Sequence, residues 1–526
     1  MLSARVVVLS SLLALCVKAS YLTFPKEFKF GATTDVYQIV DPNNAKDATL
    51  NVTAPEDALD VGNIDFAAAL GLDFYRFTIS WSRLIPNGFV TEISEEWSQY
   101  YSDLVDSALA KGVEPVVTLY HFDLPARLQN LGGWANPLIS DWFASYARRV
   151  FTLYGDRVKT WVTINDPLVT CDGGYSGLAP PGLRDSDVGS YLCSKHMLIA
   201  HAKAWRIYDE EFRPKYQGTI SMANHIIWYE PAKRSEKKIA ELAMENSAGR
   251  YSHPIFSKEG GWPPALEKLI AENSKKEGFV RSRLPIFTKE EIELVRGTYD
   301  FYGMNHYTSR VVRTPRAEEE IGQWPLQGSS EIGVVLDTRP EWKPTNTWWV
   351  KQNPKGLRQA MVWLKEKYGD LNYVITGNGY SGTANNAERE EHTAFYREYL
   401  TQLLFAMKKD GVNVTAYTAR SLMDNFIIVH ENKHNETGEG LNATQPPARS
   451  ERSSAQFYAD VIKSRSLDVP DENAPYAAWI SIAVVLTICV GLAFLIKYYR
   501  AVKRQKQTME YHGVAMQDID NLNHNK

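Results

Sequence analysis

Eight short runs rich in β-branched and aromatic residues recur along the chain, separated by stretches with helical periodicity. Such residues favour the pleated surface of a sheet. The runs are residues 28–31, 74–81, 116–120, 158–164, 219–222, 300–305, 373–376 and 412–417. The clearest helical pattern covers Ile139–Tyr154, where apolar residues repeat mostly at steps of three and four. Strands alternating with helices predict a parallel sheet, because parallel neighbours need a crossover helix.

Eight such units within about 450 residues predict an α/β fold: a (β/α)8 TIM barrel as a single ectodomain, residues 21–465, with large loop insertions. A doubly wound open sheet is the alternative, although no glycine-rich phosphate loop follows the first strand. Residues 431–454 are polar and rich in Asn, Gly, Pro, Glu and Arg, which predicts a long surface loop.

Both ends of the chain have the composition of targeting segments. Residues 1–20 carry Arg5, an apolar run and small residues at the end, which predicts a secretory signal peptide. Residues 476–496 hold no charge over 21 positions, enough for one C-terminal transmembrane helix, and a short stalk, 466–475, precedes them. Basic residues begin at Lys497, so the positive-inside rule predicts a cytoplasmic tail over 497–526. We expect a type I single-pass protein of the plasma membrane or an endomembrane.

Net charge, cysteines and glycosylation motifs indicate which partners and which compartment suit the barrel. The formal net charge is −4; the first 20 and last 30 residues contribute +2 and +3, so the remainder carries −9. A region with this much negative charge is repelled by nucleic-acid phosphates, which excludes nucleic-acid binding. Cys171 and Cys193 lie in the exported part and could form a disulfide, an open question at this stage. N-glycosylation sequons at Asn51, Asn413, Asn435 and Asn442 fit a surface glycoprotein.

Polar residues follow several predicted strands, where a barrel of this kind builds its site. They include Gln38 after the first strand, His121 after the third, Asn165-Asp166 after the fourth and Tyr307 after the sixth. Arg76 lies within the second strand, and Gly377-Asn378-Gly379 follows the seventh. Structural roles for His121 and Asn165 stay open, and for Arg76 a structural ion pair is the favoured interpretation. No cofactor and no metal are expected.

At these positions the sequence resembles family-one glycoside hydrolases. The matching runs include FPKEFKFGA (24–32), YRFTISWSRLIPNG (75–88), TLYHFDLP (118–125), GDRVKTWVTINDP (155–167), GMNHYTSR (303–310) and ITGNG (375–379). They follow the family order and cover roughly residues 21–465. The resemblance implies a (β/α)8 barrel and retaining hydrolysis of β-glycosides. By the same resemblance Gln38, His121, Asn165 and Tyr307 fall on positions that contact the sugar or the nucleophile.

The two catalytic carboxylates of the family are altered. Retaining hydrolysis needs two carboxyl groups about 5–5.5 Å apart, one an acid/base and one a nucleophile. Asp166 stands where the family has a glutamate acid/base, so its carboxyl is set back by about 1.5 Å, a displacement that can cost about 100-fold. Gly377 stands at the nucleophile position and has no side chain. Retaining hydrolysis is expected to be abolished.

The sugar-binding shell is altered too. The family run W-S-L-L-D-N-F-E-W is replaced by R-S-L-M-D-N-F-I-I over 420–428, which removes the glutamate that grips sugar hydroxyls and both tryptophans. A His-Trp pair after the third strand has become His121-Phe122. Pocket shape is therefore expected to differ from that of the family.

Three hypotheses follow. A membrane-anchored family member with two altered catalytic positions resembles the klotho and lactase-like group. That resemblance implies a pseudoglycosidase that acts as a cell-surface co-receptor. Its partners would be a fibroblast growth factor type ligand and a receptor kinase. The alternative is a weak β-glycosidase in carbohydrate metabolism that uses Asp166 with a water. The third is a membrane lectin that binds β-linked glycans.

Overall fold

The computed structural model describes residues 21–33, 61–185, 188–345, 347–380, 386–420, 453–470, 487 and 490–509. The chain divides into two compact units, and the barrel belongs to the unit Thr23–Leu467. In the other unit, the described part of the C-terminal segment contains a helix over 490–509.

Eight parallel strands close into a barrel. In chain order they are β1 (Lys29–Thr33), β2 (Phe74–Thr78), β3 (Glu114–Tyr120), β4 (Thr160–Asn165), β5 (Thr219–His225), β6 (Tyr302–Asn305), β7 (Tyr373–Gly379) and β8 (Val414–Arg420). Each strand pairs with its sequence neighbour, and β8 returns to pair with β1, with Ala416 opposite Lys29. The predicted (β/α)8 barrel is confirmed, and the open-sheet alternative is excluded.

Helices surround the strands. The predicted helix Ile139–Tyr154 is confirmed with the same bounds, and its apolar positions, among them Phe143, Val150 and Phe151, are buried. The other α-helices of the described residues are Val61–Ala69, Trp81–Leu84, Glu95–Ala110, Ala126–Asn130, Gly189–Ile207, Arg213–Tyr216, Lys237–Met244, Arg250–Phe256, Pro264–Lys276, Lys289–Val295, Pro354–Tyr368, Asn386–Lys408 and Ser453–Ser464.

Two smaller sheets accompany the barrel. A four-stranded sheet combines Trp228–Pro231, Ser309–Arg313, Gly328–Ser329 and Val334–Asp337, which come from the segments following β5 and β6. A two-stranded sheet pairs Tyr21–Thr23 with Ser466–Pro470. The segment predicted as a stalk, 466–475, therefore differs in its first five residues, whose backbone pairs with the start of the described chain. The predicted loop 431–454 lies outside the described residues except for its last two, which begin the helix Ser453–Ser464.

Side chains fill the barrel interior, as expected of a packed barrel rather than a pore. Phe74, Val116 and Ala416 form one buried cluster, and Val374 packs against it. The ring of Phe74 lies against Gly31, where an added Cβ would overlap it. Glycine at position 31 is therefore required by the phenylalanine that fills this end of the barrel.

Cys171 and Cys193 form a disulfide with a Cα–Cα distance of 5.4 Å. The bond joins the π-helical turn Val169–Gly173, just after β4, to the helix Gly189–Ile207. Both sulfurs are buried. The pairing left open by the sequence is thus present in the structure.

Most of the predicted transmembrane segment, 476–496, lies outside the described residues, as do the predicted signal peptide and most of the cytoplasmic tail. Among the residues that are described, none of the helices is both long enough and apolar enough to cross a bilayer.

Candidate functional site

Four barrel strands end on residues that meet at the C-terminal face. Asn165, His225, Asn305 and Arg420 are the last residues of β4, β5, β6 and β8. Because the strands are parallel, their carboxyl ends open on the same side of the barrel. Three of these residues, Asn165, His225 and Arg420, line one small cavity at this face. The ends of the fourth, fifth and eighth strands therefore converge on one site.

Asn305 connects the strand ends. Its Nδ2 donates to Asn165 Oδ1 at 2.8 Å and to Asp166 Oδ1 at 2.7 Å. Its Oδ1 accepts from Thr376 Oγ1 on β7 at 2.6 Å. One buried amide thus fixes the side chains that follow β4 relative to β6 and β7.

Arg76 is buried, lines the cavity and joins four strands. Its Nη2 donates to Asn165 Oδ1 at 2.5 Å and its Nη1 to the Thr376 carbonyl at 2.6 Å. Its Nε donates to Thr118 Oγ1 at 3.0 Å. These three hydrogen bonds end on a hydroxyl, a carbonyl and an amide oxygen, so Arg76 holds the second strand to its neighbours across the barrel. The structural ion pair favoured from the sequence stays a prediction.

Asp166 is the one carboxylate among the described residues that line the cavity. Its backbone has a φ of +49°, in the left-handed region that aspartate tolerates better than most residues. Asp166 Oδ1 accepts from Asn305, and Oδ2 lies 3.6 Å from His225 Nδ1. The carboxylate is therefore held by an amide on one side and faces an imidazole on the other.

The pKa of the Asp166 carboxyl is lowered. Burial alone would raise it, but the neighbouring His225 and the Asn305 amide, with a smaller contribution from His121, outweigh burial. A carboxyl that serves as general acid must carry a proton at the working pH, and enzymes raise its pKa to achieve this. Asp166 is ionised at neutral pH, so it can accept a proton there but has none to donate.

Gly377, within β7, is enclosed by polar groups. A Cβ built at this position would overlap Tyr307 Oη and lie 2.9 Å from Asn305 Oδ1. Its nearest neighbours are thus a phenol and an amide. Among the described residues, no carboxylate takes the place of the missing nucleophile beside it.

Tyr307 and Arg420 occupy the cavity wall together. The Arg420 guanidinium carbon lies 5.1 Å from the centroid of the Tyr307 ring, within range of a cation–π interaction. The Tyr307 ring also lies 5.5 Å from the His225 ring and 6.4 Å from that of Trp349. Aromatic rings and a cation therefore form one side of the site.

His121 also lines the cavity and is buried. Thr78 Oγ1 and His121 Nδ1 are 3.4 Å apart, and the His121 backbone N–H donates to Asp123 Oδ1 at 3.0 Å. Phe122 beside it has a φ of +67° and also lines the cavity. The turn after β3 thus presents one imidazole and one apolar ring to the site.

The predicted site residues divide into two groups. The structure brings His121, Asn165, Asp166, Tyr307 and Gly377 together. Gln38 and the sequons at Asn51, Asn435 and Asn442 lie outside the described residues. Asn413 is described and exposed, just before β8, where its Nδ2 donates to Asn372 Oδ1 at 2.7 Å.

Five cavity residues were not singled out as candidate site residues from the sequence: Phe122, Val169, His225, Trp349 and Arg420. Phe122 and Arg420 were noted only as departures from the family runs. The signal for His225 was available, since continuing the fifth strand run past Met222 through A-N-H would have brought it to the strand end. Trp349 lies in a long loop between β6 and β7, which strand-end reasoning does not reach. Within the described part of the chain, no group of three or more His, Cys, Asp or Glu residues could hold a metal ion.

Comparison with known proteins identifies relatives of this site and fold. The chain is 38% identical over 429 residues to Myrosinase 1 of Brevicoryne brassicae, covering 77% of this chain and 90% of that protein. It is 33% identical to human cytosolic beta-glucosidase, covering 85% of this chain and 99% of that protein. It is 30% identical to human lactase-like protein, covering 86% of this chain and 84% of that protein.

The solved structure of aphid myrosinase matches with a TM-score of 0.74 at 34% identity, over 84% of this chain and 99% of that one. The family model described as glycosyl hydrolase family 1 matches residues 43–467. That range contains seven of the eight barrel strands and every described residue of the cavity. Fold, strand-end site and sequence thus agree, and the chain belongs to glycosyl hydrolase family 1.

Proposed function

We propose that this chain is a pseudoglycosidase, a family 1 barrel that binds ligands without hydrolysing them. The observation that carries the proposal is Gly377, which offers no attacking oxygen and whose surroundings contain a phenol and an amide in place of a carboxylate. Without a nucleophile, the covalent glycosyl intermediate of retaining hydrolysis cannot form.

The second catalytic position supports the same proposal. Protonating the leaving oxygen of a glycoside requires a neutral carboxylic acid, whereas the lowered pKa of Asp166 keeps it ionised. A negative charge beside a carboxylic acid favours its protonated form. Gly377 removes that negative charge, and His225 adds an imidazole beside Asp166. Both halves of the mechanism are therefore impaired.

The proposal extends to location and partners. The apolar segment 476–496 followed by basic residues supports a type I anchor, with the barrel outside a plasma membrane or endomembrane. An anchored binding barrel suits a co-receptor of the klotho and lactase-like kind, with a fibroblast growth factor type ligand and a receptor kinase as partners. Similarity to lactase-like protein favours this group. The ligand class rests on analogy of fold, so it needs a direct test.

Loss of hydrolysis is tested by trapping. The purified full chain is incubated with a 2,4-dinitrophenyl 2-deoxy-2-fluoro-β-glucoside, which forms a stable adduct on a working nucleophile, and is examined by intact mass spectrometry. We expect no mass shift, while the human cytosolic beta-glucosidase serves as the reference for reagent quality. A stoichiometric adduct on the ectodomain would refute the proposal.

The co-receptor role is tested separately by measuring binding of fibroblast growth factors to cells that display the full chain. Saturable binding below 1 µM, lost when the barrel is deleted, is the expected result. Binding of β-linked glycans on an array, with no growth-factor binding, would favour the lectin hypothesis in its place.

A weak β-glycosidase is the second candidate, favoured by the retained carboxylate of Asp166 at the cavity wall. In that case formate or azide would enter beside Gly377 and attack the sugar in place of the missing side chain. Turnover of an aryl β-glucoside that depends on these anions would support it. If neither anion gives turnover, the candidate is eliminated.

A further inference from the structure

The helix over 490–509 carries a dense run of basic side chains. All five are exposed, and no Asp or Glu interrupts the stretch 497–509. The basic residues are Lys497, Arg500, Lys503, Arg504 and Lys506. With Glu510 counted, 497–510 carries +5 − 1 = +4, whereas Lys526, Asp518 and Asp520 give 511–526 a charge of −1. Positive charge is therefore concentrated directly after the apolar segment 476–496.

The same helix also has an apolar face. Tyr498, Val502 and Met509 are separated by steps of four and seven, so they lie on one side of the helix. Their side chains are 71%, 43% and 69% exposed. Lys497, Arg500 and Arg504, at steps of three and four, lie on the other side. The helix is thus basic on one side and apolar on the other, with both sides exposed.

The charge by itself has a simpler explanation. Lys and Arg beside a membrane span determine its orientation, and they do so by number and position alone. Orientation does not require apolar residues placed on one face among the cations. A helix with one basic and one apolar face is typical of segments that bind a membrane surface. The apolar face is therefore the second observation, independent of the charge, that points to a lipid ligand.

Neighbouring cations on this helix can share one ligand. Side chains three or four positions apart have Cβ atoms about 5–6 Å apart. Arg500 has this spacing to both Lys503 and Arg504, and Lys503 has it to Lys506. A guanidinium fits phosphate oxygens through two parallel hydrogen bonds, and an ammonium binds them as a point charge. A headgroup with several phosphates would meet two or three cations at once.

The proposed anchor places this helix at the cytoplasmic surface of the membrane. Lys497 follows the apolar segment directly, and Lys506 lies about 14 Å further along the helix axis. Spanning helices are tilted by about 20° on average, which brings one side of their extension closer to the lipid. The face of Tyr498, Val502 and Met509 is suited to that side. Long Lys and Arg side chains can extend from it to the phosphates.

We infer that the helical segment 497–509 binds anionic lipids of the cytoplasmic leaflet and prefers a headgroup with several phosphates. The inference rests on the proposed type I anchor and is independent of the proposed loss of hydrolysis. It adds a lipid partner to the growth factor and receptor kinase proposed for the barrel.

The test measures lipid binding to the purified full chain in a non-ionic detergent by microscale thermophoresis. The probes are dioctanoyl phosphatidylinositol 4,5-bisphosphate, dioctanoyl phosphatidylserine, dioctanoyl phosphatidylcholine and free inositol 1,4,5-trisphosphate. One basic residue near an anionic surface contributes about fivefold to binding. We therefore expect the bisphosphate lipid to bind about tenfold or more tightly than phosphatidylcholine, because two or more cations meet it. The free headgroup should bind more weakly than its lipid, since it lacks contact with the apolar face.

Variants connect the preference to the two faces. Replacing all five basic residues of the helix with Gln is expected to remove the preference. The matched control replaces five exposed lysines of the barrel unit with Gln and should keep it; these are Lys215, Lys237, Lys238, Lys275 and Lys289. Val502→Gln combined with Met509→Gln retains every cation and should weaken binding of the bisphosphate lipid without changing that of the free trisphosphate. Thermal unfolding of each variant verifies that the barrel is folded.

Several results would overturn the inference. They are equal affinity for the bisphosphate and choline lipids, an unchanged preference in the folded five-Gln variant, and lipid binding unaffected by the Val502 and Met509 substitutions. Free trisphosphate binding as tightly as its lipid would assign the cations to a soluble anion in place of a membrane. Binding of calcium-loaded calmodulin without any lipid preference would assign the helix to a protein partner.

Failure of this inference is distinguishable from failure of the proposed anchor. A chain that stays with the membrane in carbonate but shows no lipid preference loses only the lipid inference. A chain that carbonate extracts loses the anchor, and with it the cytoplasmic leaflet as the location of the lipid. A glycosyl adduct on the barrel would bear on hydrolysis alone.

Discussion

The hydroxyl of Tyr307 occupies the space into which a side chain at position 377 would extend. Restoring the family residue with Gly377→Glu therefore forces Tyr307 and Asn305 to move. Overpacking of this kind costs about 1–3 kcal/mol. We predict a lower melting temperature for Gly377→Glu, measured by differential scanning fluorimetry, and no turnover of an aryl β-glucoside, because the carboxyl of Asp166 stays about 1.5 Å short of the family glutamate.

A second substitution isolates the cause of that destabilisation. Tyr307→Phe removes the overlapping oxygen, so Gly377→Glu combined with Tyr307→Phe should recover a large part of the lost stability. Tyr307→Phe alone is the control for loss of the hydroxyl. If Gly377→Glu melts at the wild-type temperature, the cavity is more adaptable than its packing implies.

The charge of Asp166 gives the stability of the barrel a dependence on pH. Because its pKa is lower in the folded than in the unfolded chain, the ionised carboxylate stabilises the fold at pH above its ordinary pKa of about 4. That contribution is lost as the pH falls through the folded pKa. Asp166→Asn is thus expected to lower the free energy of unfolding by about 1–3 kcal/mol at pH 7 and by less at pH 3.

Urea unfolding of wild type and Asp166→Asn at both pH values measures this difference. Asp141→Asn, on the solvent side of the helix Ile139–Tyr154, is the matched control and should change stability by about 0.5 kcal/mol or less. A deficit of Asp166→Asn that stays constant from pH 7 to pH 3 would contradict the assignment of an ionised carboxylate.

At the scale of elements, the sequence predicts the strands well and their ends less well. All eight predicted runs overlap barrel strands, because a parallel barrel buries both faces of each strand and demands apolar β-formers. The ends differ: the fifth strand continues to His225 and the seventh to Gly379. Polar residues at strand ends are held by contacts across the barrel, such as the Asn305 hydrogen bonds, and a local pattern does not encode those contacts.

Local sequence patterns also do not encode the contacts that assemble the candidate functional site. Family resemblance predicts that His121, Asn165, Asp166 and Tyr307 converge, and the structure brings them together. It does not predict that Arg420 and His225, which come from distant strands, line the same cavity. Only the closed barrel brings the ends of these two strands to the cavity that Asp166 also lines.

The disulfide is the covalent connection between two elements. It closes a segment of 22 residues between the turn after β4 and the helix Gly189–Ile207. Constraining a loop of that size stabilises a fold by roughly 3 kcal/mol in the chain-entropy model. We predict that Cys171→Ser with Cys193→Ser lowers the free energy of unfolding by about that amount in a urea titration. Wild type measured with a reducing agent should match the double variant; equal stability of oxidised and reduced chains would contradict the prediction.

At the scale of the whole molecule, the charge distribution and the glycosylation motifs make one joint prediction about topology. Lys and Arg residues begin at Lys497, directly after the apolar segment, which fits a tail inside the membrane and a barrel outside. Asn413, exposed at the start of β8, would then face the compartment where glycans are added. The anchor and the glycan therefore depend on the same orientation.

Expression of the full chain in animal cells tests that orientation. We expect the chain to stay in the pellet after carbonate extraction and to lose apparent mass on treatment with peptide N-glycosidase F. Asn413→Gln should reduce that mass loss by one glycan, about 2–3 kDa, because a single sequon is removed. Asn372→Ala, which removes the neighbouring amide without touching the sequon, is the control and should leave the mass loss unchanged. A chain that is extracted by carbonate and carries no glycan would contradict the predicted orientation, because barrel and tail would then lie on the same side of the membrane.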